Sequence, residues 1–126
     1  MKFSKTILAG LICGLCLSTA CQAEVWSVTQ GLHGSWKGSW TLTSVSPDGV
    51  KYFNCAMQSG EYILTAKARI IRMGNQVMAW QDSMSTGNTC AFIGIVDHNR
   101  VVGKEVCDVS GLTYDWTAEI NPEQNK

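Results

Sequence analysis

Residues 89–110 read TCAFIGIVDHNRVVGKEVCDVS, and this stretch gives the clearest indication of antiparallel β-structure. Two runs rich in Val and Ile flank His98-Asn99, which is a suitable place for a two-residue β-turn. If His98 and Asn99 form that turn, residues that face each other across the two strands have numbers that sum to 197. The stretch therefore predicts an antiparallel hairpin.

The same register predicts a disulfide. Cys90 and Cys107 fall opposite each other, at a position where the two strands exchange no hydrogen bonds. Cα atoms approach to about 4.5 Å at such a position, which is within the range that a disulfide tolerates. Cys55 is then left over, either as a small core residue or as a partner for Cys21 if the chain is cleaved after Ala20.

Apolar and polar residues alternate over most of the chain, as in antiparallel strands. Segment 62–73 contains residues that also suit a helix, but its alternation favours a strand. Gly74-Asn75 then makes a hairpin turn that sets Lys67 opposite Asp82, which predicts an ion pair, and Arg69 opposite Trp80, which predicts a cation–π contact. Residues 25–29 are a candidate additional strand. The seven predicted strands are 35–45, 51–57, 62–73, 76–84, 89–97, 100–110 and 113–120.

The short connections between these strands indicate how they are arranged. A meander of this kind buries one face of every strand by curling on itself, which also removes its exposed edges. The predicted fold is therefore all-β, an antiparallel meander of seven to eight strands closed as a small barrel. The alternative is a flattened β-sandwich.

Residues 1–23 are predicted to be a secretory signal peptide. Lys2 and Lys5 precede an eleven-residue apolar stretch, Ile7 to Leu17, which is shorter than the roughly 20 residues of a membrane-spanning helix. Residues 24–120 then form a single β-barrel domain, and residues 121–126 form a polar tail. We expect an exported protein, periplasmic or secreted, without a transmembrane span.

The end of the signal peptide has three candidates, which stay open. Small residues at Cys21 and Ala23 suit cleavage after Ala23 and release of a soluble protein, and cleavage after Ala20 is a third outcome. The run LSTAC at 17–21 resembles a bacterial lipobox. That resemblance implies lipidation of Cys21 and an outer-membrane lipoprotein.

Charge and motif content argue against several functions. Cleavage after Ala23 removes Lys2 and Lys5, which leaves eight basic residues against ten acidic ones and a net charge near −2. Nucleic acid is therefore not expected as a partner. His33 and His98 are predicted to lie in exposed connections, and no zinc, redox, nucleophile or phosphate-binding motif follows Ala23. We expect no enzyme activity, no catalytic residue, no metal and no cofactor.

Tryptophan is abundant, with five in the chain. The heptapeptide GSWKGSW sets Trp36, Gly38 and Trp40 on one face of a strand, and Trp80 and Trp116 lie on later strands. Core packing is the plainer use of these indoles. The functional alternative is an aromatic-lined pocket for a small apolar or sugar ligand, with Gly38 as a slot between two rings.

Two short segments resemble those of known families. Gly34-Ser35-Trp36, on the first long strand of a small meander barrel, resembles the G-x-W motif of the calycins, which include lipocalins, fatty-acid-binding proteins and avidins. This resemblance implies a barrel in which Trp36 closes one end.

Ser59-Gly60-Glu61-Tyr62 is similar in part to the Ser-Gly-Ala-x-Tyr loop of the membrane-bound inhibitors of C-type lysozyme. That similarity implies a protein partner and a loop that enters its active site. The leading hypothesis is nevertheless an exported bacterial binding protein that uses an aromatic-lined pocket or an end loop. The alternatives are a periplasmic inhibitor of lysozyme or another hydrolase, and a lipid-anchored envelope protein with a structural or adhesive role.

Overall fold

The computed structural model describes residues 24–121 and shows eight antiparallel strands closed into a barrel. Each strand pairs with the next one along the chain, and the first strand also pairs with the last. The predicted closed meander is confirmed, and the candidate eighth strand is the first strand of the barrel. The strands are β1 (Val25–Gln30), β2 (Trp36–Val45), β3 (Lys51–Ser59), β4 (Tyr62–Met73), β5 (Gln76–Asp82), β6 (Cys90–Asp97), β7 (Arg100–Cys107) and β8 (Thr113–Ile120), and a short 3-10 segment covers Leu32–Gly34.

The hairpin predicted for residues 89–110 is present in the predicted register. Asp97 pairs with Arg100 around the His98-Asn99 turn, and Cys90 pairs with Cys107. The two cysteines form the predicted disulfide, with their Cα atoms 4.0 Å apart. The disulfide thus joins β6 to β7 near the end of the barrel opposite to the turn.

Segment 62–73 is a strand, as its alternation predicts. Leu64, Ala66, Ala68 and Ile70 face the interior and are buried. Their small and apolar side chains fit a barrel interior that large rings from other strands already fill. Tertiary burial of one face therefore outweighs the helix propensity of Ala and Leu in this segment.

Aromatic rings fill the middle of the barrel. Trp40 and Trp116 stack with their ring centroids 6.0 Å apart, and Phe92 meets both rings edge-on at 5.3 and 5.1 Å. Trp116 also donates from Nε1 to the carbonyl oxygen of Ile93 at 3.0 Å. These rings form the core at mid-height.

Two facing glycines make room for the Trp116 ring. Gly94 on β6 pairs with Gly103 on β7. A Cβ on Gly103 would lie 1.9 Å from the carbonyl oxygen of Ile93 and 2.7 Å from Trp116 Nε1. Any larger residue would therefore displace either the neighbouring strand or the indole.

The expectations about the signal peptide, Cys21 and residues 122–126 lie outside the described residues. Within residues 24–121, no helix is long and apolar enough to cross a lipid bilayer.

Candidate functional site

One end of the barrel holds a cavity of about 280 Å³ that opens to solvent. The β1–β2, β5–β6 and β7–β8 connections surround it, and the adjoining ends of β3 and β4 complete the wall. Met57, Leu64 and Met84 make part of this wall apolar, and the partly buried rings of Trp36 and Tyr114 also line it. We call this space the end cavity.

Two polar residues line the end cavity although they are almost fully buried. Gln30, at the end of β1, is 4% exposed, and Glu105, on β7, is 2% exposed. Gln30 Nε2 donates to Glu105 Oε2 at 3.1 Å, and the backbone N–H of Gly31 donates to Glu105 Oε1 at 2.9 Å. Gln30 on β1 and Glu105 on β7 thus reach each other across β8, the strand that pairs with both, and we call these two side chains the polar floor.

The polar floor has one unused acceptor. Among residues 24–121, Gln30 Oε1 has no hydrogen-bond partner. The orientation of the amide follows from its surroundings, because its Nε2 faces two acceptors, Glu105 Oε2 and Gln81 Oε1, the latter at 3.0 Å. A buried polar atom without a partner is costly, so a molecule that donates to Gln30 Oε1 would be stabilised there.

Glu105 gives the end cavity its electrostatic character. Burial raises the pKa of this carboxyl above its usual value, and the hydrogen bonds from Gly31 and Gln30 oppose that shift only in part. Both of these donors are neutral. Glu105 is also the one Asp, Glu, Lys, Arg or His among the residues that line the cavity, so no basic side chain there compensates its charge.

Gln81 and Cys55 lie deeper in the same interior. Gln81 is fully buried and accepts from Gln30, and Cys55 is a buried free thiol. Burial raises the pKa of Cys55 to about 12. Cys55 therefore stays protonated near neutral pH and behaves as a core residue rather than as a nucleophile.

Among residues 24–121, three potential metal ligands come together, but two of them cannot bind a metal. Potential ligand atoms of Cys90, Glu105 and Cys107 lie within 4.8 Å of one another. Both sulfurs belong to the disulfide, so neither can act as a thiolate ligand. In this oxidised state the cluster offers a metal only the carboxylate.

The structure separates the tryptophans that were candidates for an aromatic-lined pocket. Trp36 lines the end cavity, and its ring lies over Gly31, where a Cβ would be 2.9 Å from Trp36 Cδ1. Trp40 and Trp116 are buried in the central core and do not line this cavity. Their rings pack against each other, which is the plainer of the two uses considered for them.

Gly38 does not provide the slot that was expected between two indoles. A Cβ at this position would lie 2.0 Å from the carbonyl oxygen of Ala56 and 2.8 Å from Met57 Cα. The backbone of β3 already occupies the space next to Gly38. Glycine is therefore required here for close packing of two strands, and a ligand has no room.

Trp80 is on the outer wall of the barrel and does not line the end cavity. It pairs with Arg69 across β4 and β5, and the guanidinium carbon lies 4.9 Å from the ring centroid. The predicted cation–π contact is therefore confirmed. Lys67 lies opposite Asp82 in the predicted register, but these two described side chains form no ion pair, and Lys67 Nζ instead donates to Asn54 Oδ1 at 3.0 Å.

The loop proposed to act on lysozyme is a tight turn between β3 and β4. Ser59 pairs with Tyr62, which leaves Gly60 and Glu61 at the tip. Tyr62 and Ile63 are 74% and 72% exposed. The meander places this turn at the same end of the barrel as the end cavity.

The two histidines are exposed, as predicted, and lie at opposite ends of the barrel. His33 belongs to the 3-10 segment beside the end cavity, whereas His98 lies in the β6–β7 turn. His98 Nδ1 is 2.8 Å from Asp97 Oδ1, but both side chains are about nine-tenths exposed. This separation excludes a catalytic pair of histidines.

Sequence reasoning missed the polar floor, although a signal for it exists. Gln30, Gln81 and Glu105 all follow the inward phase of their strands, alternating with buried neighbours such as Val28 and Ala79. A polar residue in an inward position marks a site that a partner must satisfy. The inward position of these three polar residues in the alternating pattern is the sequence signal that could have located the site.

The eight-stranded closed barrel agrees with the architecture that the calycin resemblance implies. No family model, curated protein or solved structure matches this chain. Membership of the calycins therefore stays a prediction.

Proposed function

We propose that this chain is an exported bacterial binding protein, of calycin type and without enzyme activity, whose ligand occupies the end cavity. The observation that carries the proposal is the polar floor, because two residues that line an open cavity carry a buried carboxyl group and a buried, unpartnered amide oxygen. Small-molecule sites are typically concave and largely apolar, with a few fixed polar groups that orient the ligand. The end cavity has this composition.

Rigidity of the floor supports a binding role. Glu105 lies between Gly103 and Cys107 in the inward phase of β7, and the Cys107 sulfur is 3.4 Å from Glu105 Oε2. The disulfide fixes β7 to β6 immediately beside the carboxylate. A site whose polar groups are already held in place loses little conformational entropy when a ligand binds.

The composition of the cavity favours binding over catalysis. Hydrolysis with carboxylates commonly uses two acidic side chains in different protonation states, whereas this cavity is lined by one. The disulfide is also typical of oxidising compartments, which supports an exported protein. Lipidation of Cys21 would change where the protein is held and not which residues form the cavity.

The substitution Thr86→Trp tests the site. Thr86 is exposed and lines the end cavity, so an indole at this position should obstruct it. Screening small organic compounds by NMR should find molecules that shift the indole N–H signal of Trp36, and Thr86→Trp should weaken them at least about tenfold. The matched control is Ser44→Trp, an exposed position on β2 outside this cavity, which should not affect binding.

Two results would count against this proposal. One is a screen in which no compound moves the Trp36 signal. The other is inhibition of lysozyme that disappears in Ser59→Ala, which would support an inhibitor acting through the exposed turn at 59–62.

A further inference from the structure

We propose that the ligand of the end cavity is a small organic ammonium ion, bound by the Glu105 carboxylate and Gln30 Oε1. This inference rests on the proposed function and adds the chemical class of the ligand. The proposal is based on the hydrogen-bonding groups and the charges of the residues that line the cavity. The polar floor offers hydrogen-bond acceptors and, when Glu105 is ionised, a negative charge, and the lining supplies no positive charge.

The first group that would bind the ammonium ion is the carboxylate of Glu105. Glu105 is 2% exposed, and its donors are the amide of Gln30 and the backbone N–H of Gly31. Buried charges in proteins are normally paired with an opposite charge, because neutral donors replace only part of the lost hydration. A cation that entered the cavity would provide the missing counter-charge.

The second group that would bind the ammonium ion is the unpartnered Gln30 Oε1. Gln30 Oε1 belongs to the same amide whose Nε2 donates to Glu105, so the two acceptors are close together and held by one side chain. An ammonium group carries up to three N–H donors, and hydrogen bonds from a charged donor are about twice as strong as neutral ones. One such group can therefore satisfy both acceptors.

The rest of the lining selects an organic cation rather than a metal ion. Calcium takes six to eight oxygen ligands and magnesium needs an octahedral set. The polar floor supplies oxygens from only two side chains, while Met57, Leu64 and Met84 provide an apolar wall. Trp36 and Tyr114 also line the cavity, and aromatic rings attract ammonium groups through cation–π contacts. These features suit an amine with a short alkyl chain.

The test compares three probes of similar size and different charge: n-butylammonium, 1-butanol and butyrate. Binding is followed by NMR through the backbone amide of Gly31, which donates to Glu105, and through the indole N–H of Trp36. We expect n-butylammonium to bind at least about tenfold more tightly than 1-butanol, and butyrate to bind more weakly than both.

Glu105→Gln removes the charge and preserves the shape of the side chain. In this variant n-butylammonium should lose its advantage, so that it and 1-butanol bind within about twofold of each other. Glu61→Gln is the matched control, since Glu61 is exposed in the β3–β4 turn at the same barrel end. If Glu105→Gln does not fold, Gln30→Met removes the unpartnered oxygen, leaves Glu105 in place and should weaken n-butylammonium at least about threefold.

The outcomes separate this inference from the proposed function. Equal binding of n-butylammonium and 1-butanol to the unmodified protein, or displacement of n-butylammonium by millimolar calcium, overturns the ammonium inference and leaves a binding cavity. If none of the three probes binds and the compound screen also fails, the proposed function is itself wrong. If the Glu105→Gln variant still binds n-butylammonium more tightly than 1-butanol by the same factor as the unmodified protein, Glu105 is not the group that binds the ammonium.

Discussion

At the scale of single residues, Glu105 is the position where local chemistry departs from the rest of the interior. Most inward positions hold apolar side chains, whereas Glu105 brings a carboxyl group into a site that is nearly closed to water. The groups that face it are the amide of Gln30, the N–H of Gly31 and the disulfide sulfur of Cys107. Burial of an acid against neutral neighbours disfavours its ionised form.

This environment predicts a pH dependence of stability. Burial raises the folded-state pKa of Glu105 above the ordinary glutamate value of 4.5, so between these two values the folded protein retains a proton that the unfolded chain has lost. The contribution of Glu105 to the free energy of unfolding should therefore decrease as pH rises through this window. Glu105→Gln should remove that decrease, which urea unfolding from pH 4.5 upward would measure.

A matched control uses Glu119→Gln, because Glu119 is exposed on the outer wall. Its pH profile should follow that of the unmodified protein. If Glu105→Gln and the unmodified protein show parallel profiles over the whole window, the buried carboxyl is not the origin of the effect.

At the scale of elements, the β6–β7 hairpin shows how far sequence reasoning can reach. A two-residue turn at His98-Asn99 fixes which residues face each other, and the strands carry no bulge that would shift this register. The disulfide could therefore be derived from the positions of Cys90 and Cys107. Strand β2 is less regular, because its pairing with β3 shifts between Leu42 and Ser44.

Removing the disulfide should destabilise the protein without changing its fold. The cross-link has a sequence separation of 17 residues, for which the chain-entropy estimate gives about 3 kcal/mol. The double variant Cys90→Ala/Cys107→Ala should lose about this much free energy of unfolding in guanidinium denaturation. Cys55→Ala is the control, since Cys55 is equally buried but unpaired, and it should cost about 1 kcal/mol. A double variant no less stable than this control would contradict the estimate.

At the scale of the whole molecule, closure between β1 and β8 determines whether the barrel has edges. β1 pairs with β2 on one side and with β8 on the other, and its Val28 is 1% exposed. Closure leaves no strand of the sheet unpaired. It also brings Gln30 of β1 to Glu105 of β7, so the polar floor depends on it.

A chain that starts at Ser35 tests the importance of closure. Without β1, the edges of β2 and β8 would be unpaired and Gln30 would be absent. We expect this variant to self-associate through those edges, as light scattering after size-exclusion chromatography would show. The control is a chain that starts at Glu24, which keeps all eight strands. A monomeric variant with native near-ultraviolet circular dichroism would show that closure is dispensable.

The sequence alone was enough to predict the strands, the inward faces of most of them, two of the hairpin turns and the disulfide. These features follow from a two-residue period and from local turn geometry, which act between neighbours along the chain. The complete barrel was needed to show that Gly38 faces the backbone of β3, that Trp80 lies on the outer wall, and that Gln30 and Glu105 share a cavity. Gln30 and Glu105 are far apart in sequence and meet only when the barrel closes, so their contact depends on how all eight strands are staggered.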